Sequence, residues 1–152
     1  MNYVPYVVET SIGCDRMFLA QVSLALQEET VPDAKGKESI RTVMKLNPAV
    51  APIKCAVLPL LKNKEELTKA ASDITATLKK TMNVQYDEKD TIGRRYRRQD
   101  AVGTPYCVTV DFDTLENNTV TLRDRDTLVQ ERVAIEDLPK IVGTKVGMEN
   151  VL

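Results

Sequence analysis

A chain of 152 residues, 43% hydrophobic and 28% charged, has the length and composition of one soluble domain with a proper core plus an appendage. Its net charge of -1 supplies no overall attraction to nucleic acid, so any RNA-binding role must rest on local clustering of charge. The absence of histidine excludes Ser-His-Asp chemistry and imidazole metal sites within the chain, and Cys14, Cys55 and Cys107 are too dispersed to form a metal-ligand set.

The cysteines read as buried thiols of a reducing compartment. Met1-Asn2-Tyr3-Val4-Pro5 carries neither a basic n-region nor an apolar h-region, and no apolar run is long enough to span a bilayer. The expectation is a cytoplasmic protein without a secretory signal.

Residues 3–9, β-branched and aromatic, predict a strand with Pro5 near its start. A helix through about Glu28 follows. It carries Met17, Phe18, Leu19, Val22, Leu24, Ala25 and Leu26, too many apolar groups for one stripe. Such a helix belongs inside a larger protein, so the chain is expected to be a fragment. Residues 30–39, with Pro32, Gly36 and mixed charge, read as a loop or linker; Ile40 to Leu46 reads as a short extended piece ended by Asn47-Pro48.

Ile53 to Pro59 predicts a buried strand. A helix from about Lys64 to Met82 comes next, with Asn63 as cap and Glu66 completing a capping box. Its positions Leu67, Ala70, Ala71, Ile74, Leu78 and Met82 share one face. Residues 83–87 suggest a short strand, and Ile92 to Ala101 a helix broken by Gly103-Thr104-Pro105. Tyr106 to Phe112 and Thr119 to Arg125 predict an antiparallel pair joined by residues 113–118, with a third short strand over 131–135 and a last helix from about Glu136. The order β-α-β-α-β-β-β-α implies an α/β fold: a mixed sheet of about five strands flanked by helices, preceded by the strand-helix piece.

Two stretches carry a family resemblance. Val8-Glu9-Thr10-Ser11-Ile12-Gly13-Cys14-Asp15-Arg16 resembles motif 3 of class II aminoacyl-tRNA synthetases in its glycyl form. Tyr86 through Pro105, with its Gly93-Arg94-Arg95-Tyr96-Arg97-Arg98-Gln99-Asp100 core, resembles the anticodon-binding domain of the same enzymes, and Ala51 to Leu60 matches that domain's first strand. Thr10 stands where many relatives have proline.

The resemblance implies three segments: the end of a catalytic domain over 1–29, a linker over 30–50 and an anticodon-binding domain over 51–152. It also implies an ATP-dependent, AMP-forming glycine-tRNA ligase as the full-length protein, homodimeric, with ATP and Mg2+ as cofactors. Its partners would be glycine and the anticodon loop of glycine tRNA, with no membrane and no DNA involved. Motifs 1 and 2 have no counterpart here, so this chain alone is expected to be inactive and to hold no cofactor.

By the same resemblance Glu9 and Ser11 take glycine, the carboxylate holding the ammonium and the serine leaving little room for a larger side chain. Gly13 and Arg16 take ATP, Gly13 through close backbone approach and Arg16 as the catalytic guanidinium on phosphate oxygens. Without the resemblance, Glu9 and Arg16 read as an ordinary strand-end and helix-start pair.

Splayed anticodon bases are read by edge hydrogen bonds and stacking. Arg94, Arg95, Arg97 and Arg98 surround Tyr96 within about one and a half helical turns, a broad positive surface for phosphates. The same residues also fit a solvated face paired with Asp87, Glu88, Asp90 and Asp100. Arg123 and Arg125 alternate with Asp124 and Asp126, which places the arginines on one side of a strand end. The resemblance implies that this end faces the bases, with Glu88 or Asp124 accepting from a cytosine amino group; the other reading is a charged hairpin end pairing with itself.

Two other functions remain open: a non-catalytic nucleic-acid-binding or accessory module on the same fold, and a class II synthetase of another specificity. Glu9, Ser11 and Arg16 speak for the glycyl ligase over both.

Overall fold

A computed structural model describes residues 2–32 and 36–150. Residues 2–13 are exposed and carry no regular structure, so the strand expected over 3–9 is not formed. A strand needs a neighbour to take its backbone groups, and among the described residues none is offered to it.

Helix α1 (Cys14–Ala25) passes straight into strand β1 (Leu26–Pro32), which pairs antiparallel with β2 (Glu38–Met44) from Leu26↔Met44 to Pro32↔Glu38. The expected loop over 30–39 is therefore largely strand, and its Asp33–Lys35 portion lies outside the described residues. Mixed charge misled the reading here. Strand β2 alternates exposed Glu38, Ile40 and Thr42 with inward Arg41 and Val43, both buried.

Asn47 ends the extended run as expected, its Oδ1 accepting the Ala49 N–H at 2.9 Å. Strand β3 (Cys55–Pro59) follows and is wholly buried. The main sheet has the order β4-β3-β5-β6-β7, with β4 (Val84–Tyr86) and β5 (Tyr106–Val110) parallel to β3, and with β6 (Thr119–Asp124) and β7 (Gln130–Ala134) antiparallel to their neighbours. It is the mixed five-stranded sheet that the element order implied.

Helices α2 (Glu65–Leu78) and α5 (Leu138–Val146) cover one face. Leu67, Ala71, Ile74, Leu78, Leu138 and Val142 pack there on Cys55, Val57, Val108, Val110, Val120 and Leu122. Each such fully buried aliphatic side chain is worth roughly 1.5–3 kcal/mol relative to exposure. The expected cap at Asn63 is not used. Lys64 takes the cap position without a side-chain hydrogen bond, and Glu65 and Glu66 in the first turn suit the helix dipole instead.

Helix α3 (Ile92–Val102) lies on the opposite face, where Ile92 and Tyr96 pack on Ala56, Leu58 and Cys107. It ends at Gly103, whose φ of 86° favours glycine; an added Cβ would also sit 3.1 Å from Leu46 and 3.2 Å from the Met44 carbonyl. Gly103 thus lets the hairpin base close on the end of α3. The connection between β5 and β6 is a short helix, α4 (Phe112–Asn117), opened by a capping box of Asp111 and Thr114.

Cys55 and Cys107 are buried as expected, and burial pushes the Cys107 thiol up to about 12. Cys14 is exposed, because α1 buries only Ala25. No helix among the described residues is long and apolar enough to cross a membrane.

The apolar surface of α1 stands largely uncovered, with Phe18 71% and Leu24 78% exposed. The isolated chain is therefore expected to self-associate with rising concentration in sedimentation velocity, and Phe18→Glu with Leu24→Glu to sediment as a monomer. Equal monomeric behaviour of both proteins would refute this.

Candidate nucleic-acid interface

Helix α3 lies over only part of its face of the sheet. Beside it opens a cleft of about 420 Å³ whose walls include Arg41, Tyr96, Arg97, Asp100, Arg123 and Gln130. It adjoins a smaller cleft of about 240 Å³ that shares Tyr96 and Gln130 and adds Thr109, Asp111 and Thr121. The strand register explains the alignment: Cys107 pairs with Arg123 and Arg123 with Gln130, so one layer of side chains crosses the sheet beneath α3.

At the centre, both Nη atoms of Arg123 donate to the Asp100 carboxylate at 2.8 and 2.9 Å, and its guanidinium lies 4.6 Å from the centroid of the Tyr96 ring. Burial works against the charge of Arg123, but the Asp100 carboxylate outweighs it and holds the guanidinium above its ordinary pKa. Tyr96 shares a hydrogen bond with the Thr109 hydroxyl, and burial raises its pKa, so the phenol stays protonated. Arg97 ties α3 to the hairpin by donating to the Ile40 carbonyl at 2.7 Å and the Ser39 hydroxyl at 2.6 Å. The result is a cleft with a stacking ring, guanidinium groups and the exposed Gln130 in its lining, a set suited to a flat base and its phosphates.

The helical cluster divides by face. Arg94 is 77% exposed, its nearest carboxylate being Asp90 at 3.9 Å. Arg98, on the same face, donates to Asp87 at 2.9 and 3.2 Å and to Asp90 at 2.7 Å. Arg95, only 2% exposed, turns inward with Gln99 and gives its donors to the carbonyls of Pro59, Lys89 and Asp90. Glu88 accepts from the Tyr86 hydroxyl at 2.6 Å.

At the strand end, Arg125 is 2% exposed and donates to the carbonyls of Met44, Gly103 and Leu46 at 2.8–3.0 Å and to Asp126. Asp124 points to the other side of the sheet and caps the turn, accepting from the backbone N–H groups of Asp126 and Thr127.

Glu9, Ser11, Gly13 and Arg16 are all exposed, and among the described residues no side-chain hydrogen bond or ion pair draws them together. Gly13 is the N-cap of α1 at φ -76°, which any residue adopts, and contributes no side-chain acceptor. The first N–H groups of α1 are therefore open beside Arg16, an arrangement suited to an anion. Among the described residues no group of three or more His, Cys, Asp or Glu could hold a metal ion.

Arg41 and Gln130 were missing from the sequence-derived set, in which Arg97 stood only as one of the clustered helix arginines. An arginine at an inward position of an alternating strand was the available signal for Arg41, and reading its surroundings as a linker hid it.

Acid weakens this region by a known sign. Hydrogen bonds from Arg132, at 2.6 and 2.8 Å, hold the Asp111 carboxyl below its ordinary pKa; Lys45 and then Arg41 do the same for Glu29. Carboxyls depressed in the folded state contribute stability that is complete above the unfolded value, about 4, and is lost as pH falls through the lower folded value. Urea unfolding should therefore show stability falling on acidification through that window, with Asp111→Asn flattening the fall. A variant curve parallel to the wild type would contradict the assignment.

Residues 54–145 match the family described as "Anticodon binding domain". Among curated proteins the chain is 54% identical over 141 residues to the glycine–tRNA ligase of Clostridium perfringens, covering 93% of this chain and 30% of that protein. It is 49% identical to that of Thermobifida fusca, over 96% of this chain and 31% of the relative, and 54% identical to that of Rhodopirellula baltica, over 90% and 25%. The chain thus spans about a third or less of the length of these relatives. The family match runs from β3 into α5 and takes in the sheet, α3 and most of the cleft lining: the chain belongs to the anticodon binding domain family.

Proposed function

We propose that this chain is the carboxy-terminal part of a glycine–tRNA ligase and that the cleft beside α3 receives the anticodon loop of glycine tRNA. The observation that carries the reading is the cleft itself: the Tyr96 ring stacked with Arg123, which Asp100 fixes, inside the family-matched residues. Arg94 and Arg98, on a face of α3 outside the cleft lining, suit phosphates of the flanking backbone, and Glu88 lies in the segment just before α3. Arg95 and Arg125 serve from within by holding the carbonyls that shape the walls, and Asp124 by holding the turn.

In the whole protein, working in the cytoplasm as a homodimer, Glu9 and Ser11 would take glycine. Gly13 and Arg16 would take ATP at the open amino end of α1, with Mg2+ held through the phosphates and by parts of the protein outside this chain. ATP supplies the activated leaving group; Arg16 neutralises charge on its phosphate oxygens. The fit of these four residues lies in their exposure: they face outward, available to a catalytic body packed on the arm.

The test is a titration of the chain with a glycine-tRNA anticodon stem-loop and with one whose two shared cytosines are replaced, at two salt concentrations. Preference for the first loop, with affinity falling steeply with salt, is the expected result. Equal and weak binding of both loops would favour an accessory module with a generic basic surface.

A further inference from the structure

The β1–β2 hairpin lies outside the family-matched residues, yet Val31, Pro32 and Arg41 line the cleft. Arg41 is 3% exposed and its guanidinium is committed on every side. Nε and Nη2 donate to Glu29 at 2.9 and 2.6 Å, while Nη1 donates to Asp100 Oδ2 and to the Arg125 carbonyl, both at 3.0 Å. Asp100 then holds Arg123, and Arg123 lies over Tyr96. The groups that can stack on or donate to a base are thus aimed by a carboxylate that Arg41 aims in turn.

We propose that the hairpin is a working wall of the RNA cleft and that Arg41 is the positioning residue behind its discrimination between loops, an inference that rests on the anticodon-loop reading above. The chemistry requires a guanidinium. Glu29, Asp100 and the Arg125 carbonyl lie around one group, which a planar fork serves at fixed angles; an ammonium carries the charge but not the fork. Without Arg41 the Asp100 carboxylate is held by Arg123 alone, and the two can turn together. Base-edge hydrogen bonds weaken steeply with such misalignment, whereas contacts to phosphate tolerate it.

The experiment titrates the full chain and its variants Arg41→Met, Arg41→Lys and Glu29→Gln with the two stem-loops, and follows thermal unfolding of each protein. The expected result is a ratio of the two dissociation constants reduced about tenfold in Arg41→Met. Arg41→Lys should give no recovery, and Glu29→Gln an intermediate loss. A merely structural arginine would lower stability and leave the ratio unchanged. An unchanged ratio in a cooperatively folded Arg41→Met overturns the proposal, and so does full rescue by lysine, which would make Arg41 a simple charge. If Arg41→Met fails to fold, Glu29→Gln decides, an unchanged ratio again overturning the proposal. A wild-type chain that does not discriminate at all removes the anticodon-loop reading itself, and this inference with it.

Discussion

Asparagine in place of Asp100 is expected to destabilise the chain by about 3–5 kcal/mol, the range found when one partner of a buried ion pair is removed. Asp100 is 2% exposed and sits between two guanidinium groups, accepting twice from Arg123 and once from Arg41. Asparagine keeps one acceptor, but its amide nitrogen then faces donors, and two buried cations lose their shared counter-charge. The midpoint of thermal unfolding should fall by roughly 10 °C for a domain of this size. Replacing the pair together, Asp100→Leu with Arg123→Met, should recover much of that stability, because the Arg123 charge goes with its partner and Arg41 keeps Glu29. The double variant should nevertheless lose preference between the two stem-loops, having lost the group over Tyr96. Stability and recognition would then separate at one locus. A double variant as selective as the wild type would remove Arg123 from base reading.

The legible part of this fold was the part governed by periodicity. Leu67, Ala71, Ile74 and Leu78 of α2 read as one buried face and are one, and the strand runs around Val57, Val108 and Leu122 form the sheet that covers them. What periodicity does not specify is the partner of a segment. Residues 3–9 have strand composition and, among the described residues, no neighbouring strand, whereas residues 30–39 look like a loop and their flanks pair as a hairpin because β2 has α3 to lie against. The candidate site was legible to the same degree. Helical spacing separated Arg94 and Arg98 from Arg95 and Gln99, but it could not say which pair faces inward. That depends on the carbonyls of Pro59, Lys89 and Asp90, which only the folded chain brings to Arg95. Alternation likewise placed Arg123 and Arg125 on one side of their strand. Only the hairpin base, which brings the Met44 and Leu46 carbonyls to its guanidinium, makes Arg125 an internal clamp.

That clamp gives the second large effect. Arg125→Ala is expected to cost about 3 kcal/mol or more: the Leu46 and Gly103 carbonyls lose a buried donor at roughly 1 kcal/mol or more each, the Met44 carbonyl is left with the Leu46 N–H, and the truncated side chain leaves a cavity behind it. Met44, Leu46 and Gly103 come from the hairpin base and the end of α3, so the loss falls on the seam between them. Backbone amides of β2 should then exchange with solvent much faster than in the wild type, while those of β3 and β5 at the centre of the sheet stay protected. Arg125→Lys should rescue little, because one ammonium cannot reach three carbonyls arranged around a planar fork. Preference for the loop that carries the cytosines should shrink as the Arg41 wall loosens, as it should in Arg123→Met, but here together with the loss of stability at the seam. Unchanged stability with a selective loss of the cytosine-bearing loop would mean that the Arg125 guanidinium turns outward to the RNA and that the seam is held by something else.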